Sequence, residues 1–277
     1  MPVAVITGAA QGIGRQIAET LAAQGYSLAL NDLRPPDDTL AAQGYSLALN
    51  DLRPPDDTLA ALGTHRADAA AFVGDVSDDA FAAHFAAAVV SRFSRVDVLV
   101  NNAGISCISR AEETTAAELR RVLEVNLVAP FLLCRAFGAH MLAAREGSIV
   151  NIPSIAGLAG ISERAAYNAS KHGVIGLTRT LAAEWGSRGV RTNAVCPGWV
   201  KTAMDDTDQA AGYYSDTDII SRIPMGRFAF PDDVAKAVAF LADQEQSGFV
   251  NGATLTVDGG WTSDGSWQSL RDRHRTR

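Results

Sequence analysis

The sequence predicts an α/β fold, a doubly wound parallel sheet, and three observations predict it. Short apolar runs alternate with longer helical periods along the whole chain, the pattern of a parallel sheet covered on both faces. The first apolar run leads directly into a glycine-rich turn that opens an apolar-periodic helix. The chain has 277 residues, 47% hydrophobic and 20% charged, enough to bury a sizeable core. No Ser/Gly/Pro-rich linker divides it, so residues 1–277 are read as one domain.

Taken in order, the strand-like runs fall at 3–6, 26–31, 45–50, 70–74, 96–101, 148–152, 190–196 and 254–257. Helical periods fill the intervals. Val174, Leu177, Leu181 and Trp185 step by three and four and share one face. Val234, Val238 and Leu241 do the same after Pro231-Asp232-Asp233, a proline–acid helix start. Apolar helices are also expected over 111–143 and 163–185.

One feature breaks the regular alternation. The segment LAAQGYSLALNDLRPPDDT at 21–39 recurs without a single change at 40–58. An old repeat would have diverged, so this reads as a recent or engineered in-frame tandem duplication of a β-α module. Two placements compete. Residues 45–50 either enter the sheet as a parallel strand between 26–31 and 70–75, or 40–58 is extruded as an insertion. Entry is preferred: extrusion leaves Tyr45, Leu47 and Leu49 uncovered, at about 1.5–3 kcal/mol for each large side chain. The intervening 32–44 just meets the dozen or so residues that a parallel crossover requires.

Composition excludes several classes of function. The 24 basic against 31 acidic side chains give a net charge of −7, which disfavours a phosphate-neutralising nucleic-acid surface. No uninterrupted apolar run approaches the ~20 residues of a membrane span. The N-terminal MPVAVITGAAQG has no basic region or cleavage site of a signal peptide. Three cysteines, Cys107, Cys134 and Cys196, lack any CxxC spacing, and the five histidines are scattered. Neither a disulfide framework nor a metal site is expected, and a cytoplasmic setting follows.

The chemistry begins at Thr7-Gly8-Ala9-Ala10-Gln11-Gly12-Ile13-Gly14. Glycines in a first strand–helix turn let backbone N–H groups approach a pyrophosphate at a positive helix N-terminus. The next strand ends at Asn31-Asp32, where a carboxylate can accept from adenosine ribose hydroxyls and would repel a 2′-phosphate. Neither Gln11 nor Leu33 offers a cation, although Arg34 lies close by, so NAD is favoured over NADP. Tyr167 and Lys171 are i and i+4 on one helix face. An unperturbed tyrosine, with pKa near 10, is about three units too high for a base at neutral pH, and a nearby ammonium and NAD⁺ can supply the roughly 4 kcal/mol needed. Ser154, at the end of a strand, can hydrogen-bond a reacting oxygen. A Tyr-x-x-x-Lys pair alone is an ordinary helix surface; its meaning comes from the company of the glycine turn, Asp75, Asn101-Asn102-Ala103-Gly104 and Asn126.

Together, TGAAQGIG at 7–14, DV at 75–76, NNAG at 101–104, Asn126 in VNL, Ser154, YNASK at 167–171 and PGWVKT at 197–202 resemble the motifs of the short-chain dehydrogenase/reductase family over nearly the whole chain. That resemblance implies a Rossmann-like sheet, a nicotinamide cofactor, a small-molecule alcohol or carbonyl substrate, and a homotetramer. It makes Tyr167 the general acid/base and Lys171 the residue that holds the nicotinamide ribose and lowers the tyrosine pKa. Ser154 orients the substrate oxygen and Asn126 organises a water relay. Gly8, Gln11, Gly12, Ile13 and Gly14 cradle the pyrophosphate, with Asp32 on the ribose. Asp75 and Val76 flank the adenine, and Asn102, Ala103 and Gly104 the adenosine side. Pro197 and Gly198 border the cofactor, with Val200 and Thr202 at the carboxamide. Residues 203–225 fall where the family carries its substrate lid, and 269–277, with four arginines, form a basic tail suited to an oligomer contact. Pro153 and the duplication depart from the family pattern.

The implied reaction is NAD-dependent interconversion of a secondary alcohol and its carbonyl. A sugar or polyol would suit the acidic, aromatic stretch with Asp205, Asp206, Asp208, Tyr213 and Tyr214, and Trp199 is a candidate pocket floor. Two alternatives stand: a 3-oxoacyl thioester reductase, or a dinucleotide-binding protein disabled by the duplication.

Overall fold

A computed structural model describes residues 1–9, 11–31, 74–202, 209, 212, 214–267 and 269–271. Among them, strands β1 (Val3–Thr7), β2 (Ser27–Asn31), β3 (Val98–Asn101), β4 (Gly147–Asn151), β5 (Val190–Pro197) and β6 (Thr254–Val257) form one parallel sheet in the order β2-β1-β3-β4-β5-β6. Every residue of β1 through β5 is buried. These strands are covered on both faces, which is why they read as continuous apolar runs rather than alternating ones.

Chain order reverses between β1 and β3. From β1 the chain steps outward to β2, then returns to pair β3 on the other side of β1, with Thr7 opposite Asn31 and Ile6 opposite Val100. The carboxyl ends of these strands open a crevice at this switch point, the usual ligand position in such sheets.

Helices α1 (Gly12–Ala23) and α7 (Pro231–Ala242) cover one face. There Ile17 and Leu21 of α1 and Val234 and Val238 of α7 pack with Ile6 and Leu30. On the opposite face lie α2 (Asp79–Phe93), α4 (Ala129–Ala144) and α5 (Ala165–Trp185). Phe85, Phe137 and Met141 pack there against Leu99 and Ile149, and the Phe85 and Phe137 rings meet edge to face at 5.2 Å. The remaining helices are α3 (Ala116–Leu123), α6 (Asp216–Ile220) and α8 (Gln244–Ser247).

Local chemistry sets the helix starts. Asp78 accepts from the Phe81 N–H to cap α2, and Thr115 and Glu118 form a capping box that starts α3 five residues later than expected from 111. The expected helix over 111–143 is in fact two helices joined by a wider π turn, Glu124–Val128. By length and composition Ala116–Ala144 is apolar enough to cross a bilayer. Here, however, Val122, Leu133, Phe137 and Met141 are buried in the domain, the position of a core helix.

The repeated segment 40–58, residues 70–73, Asp32 and Asp51 lie outside the described residues. So do 203–208 of the expected lid and 272–277 of the tail.

Candidate active site

The glycine turn leaves β1 with Gly8 at φ +67° and Gly12 at φ +56°, conformations that favour glycine. A Cβ on Gly14 would stand 2.1 Å from the Gly8 carbonyl oxygen and 2.5 Å from the Asn102 amide nitrogen, so α1 crosses the turn in direct backbone contact. Asn102 braces that crossing: its Nδ2 donates to the Thr7 and Gly8 carbonyls, both at 3.0 Å. The Thr7 Oγ1 in turn accepts from the Asn102 and Ala103 N–H groups at 3.2 and 3.1 Å. No side chain caps α1 and no carboxylate sits in its first turn, so the N–H groups and positive pole face the crevice open to an anion.

Gly8, Gln11, Gly12, Ile13, Asp75, Val76, Asn102, Ala103, Gly104, Tyr167, Lys171 and Thr202 line one cleft of about 1360 Å³. Gly14 and Asn126 lie beneath it, and Asp32 is outside the described residues. Six further residues line it, none of them singled out from the sequence as a site residue: Asn31, Gly74, Ile105, Arg121, Val125 and Ile152. Asn31 is buried and its Nδ2 has no hydrogen-bond partner, a donor that a ligand in the cleft would satisfy. Asp75 accepts from the Ser77 N–H and Oγ at 2.9 and 2.6 Å and from Arg121 Nη2 at 3.3 Å. Burial works to raise its pKa, but these hydrogen bonds outweigh it and hold the carboxyl below the ordinary range. The open helix end, the glycine cradle and the orphaned Asn31 amide fit a dinucleotide.

A second cleft, of about 700 Å³, includes Ser154, Pro197, Gly198, Val200, Trp199 and Arg164 in its walls, and shares Ile13, Tyr167 and Thr202 with the first. Tyr167 therefore stands where the two meet. One turn further along α5, Lys171 is 4% exposed; its Nζ donates to the Ile152 carbonyl at 3.2 Å and lies 5.4 Å from the Tyr167 ring centroid. Burial pushes the Lys171 pKa down to about 8, opposed by the nearby Cys196. The Cys196 thiol is itself pushed up to about 11 by burial. The Ser154 Oγ accepts from the Ala156 N–H at 3.1 Å, starting a short 3₁₀ turn. Pro153, the departure noted above, lines the second cleft.

Asn126 sits in the π turn and is 1% exposed. Its Oδ1 accepts from the Ile105 N–H at 2.8 Å, while Nδ2 donates to the Ile105 carbonyl at 2.9 Å and to Ser170 Oγ at 3.2 Å. Ser170 donates to the Tyr167 carbonyl at 2.7 Å. One chain of bonds thus ties the loop after NNAG to the turn of α5 that carries Tyr167. A Cβ at Gly104 would lie 3.2 Å from Asn126 Oδ1 and 3.4 Å from Lys171 Nζ, which keeps the floor of the cleft close to both.

The buried ammonium has a cost that can be measured. Lys171 falls from an unfolded value near 10.5 to about 8 in the folded protein, so the penalty is fully present below pH 8 and fades as pH rises toward 10.5. Lys171→Met is expected to stabilise the cofactor-free protein by on the order of 1–3 kcal/mol at pH 7. Thermal melts at pH 7 and pH 10 check this, with the gain shrinking at the higher pH.

Residues 2–38 match the family model described as short chain dehydrogenase, and residues 37–262 that described as enoyl-(acyl carrier protein) reductase. A D-threitol dehydrogenase from Mycolicibacterium smegmatis is 40% identical over 263 residues, 94% of this chain and 92% of that protein. Cyclohexanol dehydrogenase from an Acinetobacter species is 37% identical over 262 residues, 94% of this chain and 95% of that one. A solved structure from Beutenbergia cavernae, described as an NAD(P)-dependent gluconate 5-dehydrogenase with NADP bound at low occupancy, is 40% identical with a TM-score of 0.79, covering 95% of this chain and 97% of that one. Fold and relatives together define an oxidoreductase that works with a nicotinamide dinucleotide. The chain belongs to the short-chain dehydrogenase/reductase family.

Proposed function

We propose that the protein is an NAD-dependent dehydrogenase that interconverts a secondary alcohol, sugar-like or polyol-like, and its carbonyl. The observation that carries this reading is the position of Tyr167, at the junction of the two clefts with the buried Lys171 ammonium beside its ring. When bound, the nicotinamide supplies the hydride acceptor or donor. Tyr167 takes the proton from the substrate hydroxyl and returns it in the reverse direction. Lys171 favours the phenolate and holds the nicotinamide ribose. Ser154 orients the substrate oxygen, and Asn126 fixes the cleft floor from which a water relay would start. Gly8, Gln11, Gly12, Ile13 and Gly14 form the pyrophosphate cradle, Asp32 takes the ribose, and Asp75 and Val76 border the adenine. Ala103 and Gly104 line the adenosine side, and Pro197, Gly198, Val200 and Thr202 the nicotinamide end.

Preference for NAD⁺ rests on Asp32 and on the engagement of the nearby described cations: Arg121 bonds Asp75 at 3.3 Å and Arg15 bonds Glu19 at 3.0 Å. The kcat/KM ratio of NAD⁺ over NADP⁺ is expected to exceed one across polyols, sugars, cyclic alcohols and simple secondary alcohols. A ratio below one overturns the carboxylate reading. Turnover of 3-oxoacyl thioesters with NADPH alone would instead mark an acyl reductase.

The two family models meet at 37–38, inside the repeat, which supports an in-frame duplication that adds one β-α module to a family-length chain. We take 203–225 as the lid, whose described part carries Tyr214 into the second cleft. A cytoplasmic homotetramer is the proposed assembly, supported by the exposed Phe131, Phe240 and Phe249 and by the three free thiols.

A further inference from the structure

The first cleft has an ion pair in its wall, and only one of the two partners belongs to a sequence motif. Asp75 and Arg121 both line this cleft, though they lie 46 residues apart in the chain. The hydrogen bonds on the Asp75 carboxylate show what is left for a ligand, since its two oxygens offer about four acceptor sites. Oδ1 accepts from the Ser77 N–H at 2.9 Å and from the Ser77 hydroxyl at 2.6 Å, which fills it. Oδ2 accepts from Arg121 Nη2 at 3.3 Å, and one site on it remains. Arg121 Nη1 also donates to Ser77 Oγ at 3.3 Å, so the guanidinium grips both the carboxylate and the hydroxyl that anchors its other oxygen. The Asp75 side chain is 38% exposed and that of Arg121 52%. A pair this exposed contributes little to folding, which leaves its place in the cleft wall as the feature to explain.

We infer that Arg121 is a positioning residue for base recognition: by fixing Asp75 it leaves one carboxylate lone pair for the exocyclic amine of an adenine ring, and so selects adenine over a base with a carbonyl there. This rests on the reading above that Asp75 borders the adenine. The N6 amine of adenine is a donor, and its bond to an ionised carboxylate is charge-assisted. Hypoxanthine carries a carbonyl oxygen at the same position, so an acceptor faces an acceptor with no proton between them. Val76 and Val125, each 7% exposed, also line the cleft; such apolar groups cover a ring without telling one purine from another. Without Arg121 the carboxylate keeps Ser77 on Oδ1 and loses its second anchor. Oδ2 then turns to water, and the selectivity falls although the acceptor itself is still there.

Calorimetric titration of the full chain with NAD⁺ and with nicotinamide hypoxanthine dinucleotide reads this without turnover. Wild-type protein is expected to bind NAD⁺ ~10-fold more tightly than the hypoxanthine form. Arg121→Met should weaken NAD⁺ binding by ~10-fold and that of the hypoxanthine form by less than ~2-fold, with Arg121→Lys recovering part of the loss. Asp75→Asn should erase or reverse the base preference, and on that background Arg121→Met should cost NAD⁺ less than ~2-fold. This non-additivity separates action through Asp75 from attraction of the guanidinium to the pyrophosphate, which would weaken both dinucleotides alike in either background. Three results overturn the inference and leave the dehydrogenase reading standing: no base preference in wild type, equal losses for both dinucleotides in Arg121→Met, or the full loss persisting in the double variant. If Arg121→Met does not fold, the wild-type preference and Arg121→Lys decide. Failure of NAD⁺, NADP⁺ and ADP all to bind would defeat the dinucleotide reading itself, and the inference with it.

Discussion

Tyr167→Phe is expected to lower kcat by about 10²–10⁴-fold while leaving fold and dinucleotide binding in place. The ring is retained, so its packing beside Lys171 and its share of both cleft walls survive. Only the hydroxyl that exchanges the proton is lost. Ser154 cannot replace it, because at neutral pH a serine hydroxyl is a far weaker acid than a phenol with an ammonium beside it. The measurement is steady-state oxidation of a good alcohol beside a titration of NAD⁺ binding. Most of the activity surviving the substitution would remove Tyr167 from the proton-transfer step. Loss of NAD⁺ binding along with activity would instead show that the hydroxyl serves the cofactor. Lys171→Met, which removes the ammonium proposed to favour the phenolate, is expected to move the activity optimum to higher pH.

A second large effect is expected at Gly14. In Gly14→Ala the new Cβ would stand 2.1 Å from the Gly8 carbonyl oxygen and 2.8 Å from its carbon. These are backbone atoms, so no side-chain rotamer can relieve the overlap. Either α1 moves away from β1, or the Gly8 turn, already at positive φ, is pushed out of shape. Movement of α1 carries Ile17 and Leu21 away from their packing with Val234 and Val238, at a cost of about 3 kcal/mol or more. Distortion of the turn misaligns the open helix end. The expected result is a lowered melting temperature together with at least ~100-fold weaker NAD⁺ binding. A variant that melts and binds like wild type would show that α1 has more freedom here than the backbone contact permits.

The sheet was legible because its strands are buried on both faces and its helices on one. Val3–Thr7, Val98–Asn101 and Gly147–Asn151 lie within one or two residues of the expected runs. The boundaries moved where side chains took over backbone groups: Asp97 accepts from the Val3 N–H at 2.7 Å, and β3 begins only after it. Residues in spaced motifs were legible too, since Gly8, Gly12, Tyr167 and Lys171 sit at separations that a strand–turn–helix or a single helix turn must bring together. Asn31, Arg121 and Arg164 were not. Each is an isolated polar residue whose meaning depends on what packs opposite: Arg121 reaches Asp75 from α3, and Arg164 reaches Ser106 from the start of α5. The π turn was also hidden, because one additional residue in a continuous apolar helix leaves the composition unchanged. Placement of the repeat depends on a small difference between burying a new strand and closing a longer loop, which periodicity does not report.

That π turn also changes which mutations the chain can absorb. Glu124–Val128 holds one residue more than a regular helical turn would, so the faces of α3 and α4 are out of phase across it. Asn126 reaches Ile105 and Ser170 from this widened turn. A substitution alters one side chain and leaves the phase intact. Loss of a single codon here would wind the segment into ordinary helix and turn Asn126 from Ile105. It would also rotate every residue of one flanking helix by about 100° against its core partners. At this point in the gene, therefore, inheritance must conserve residue count more strictly than residue identity.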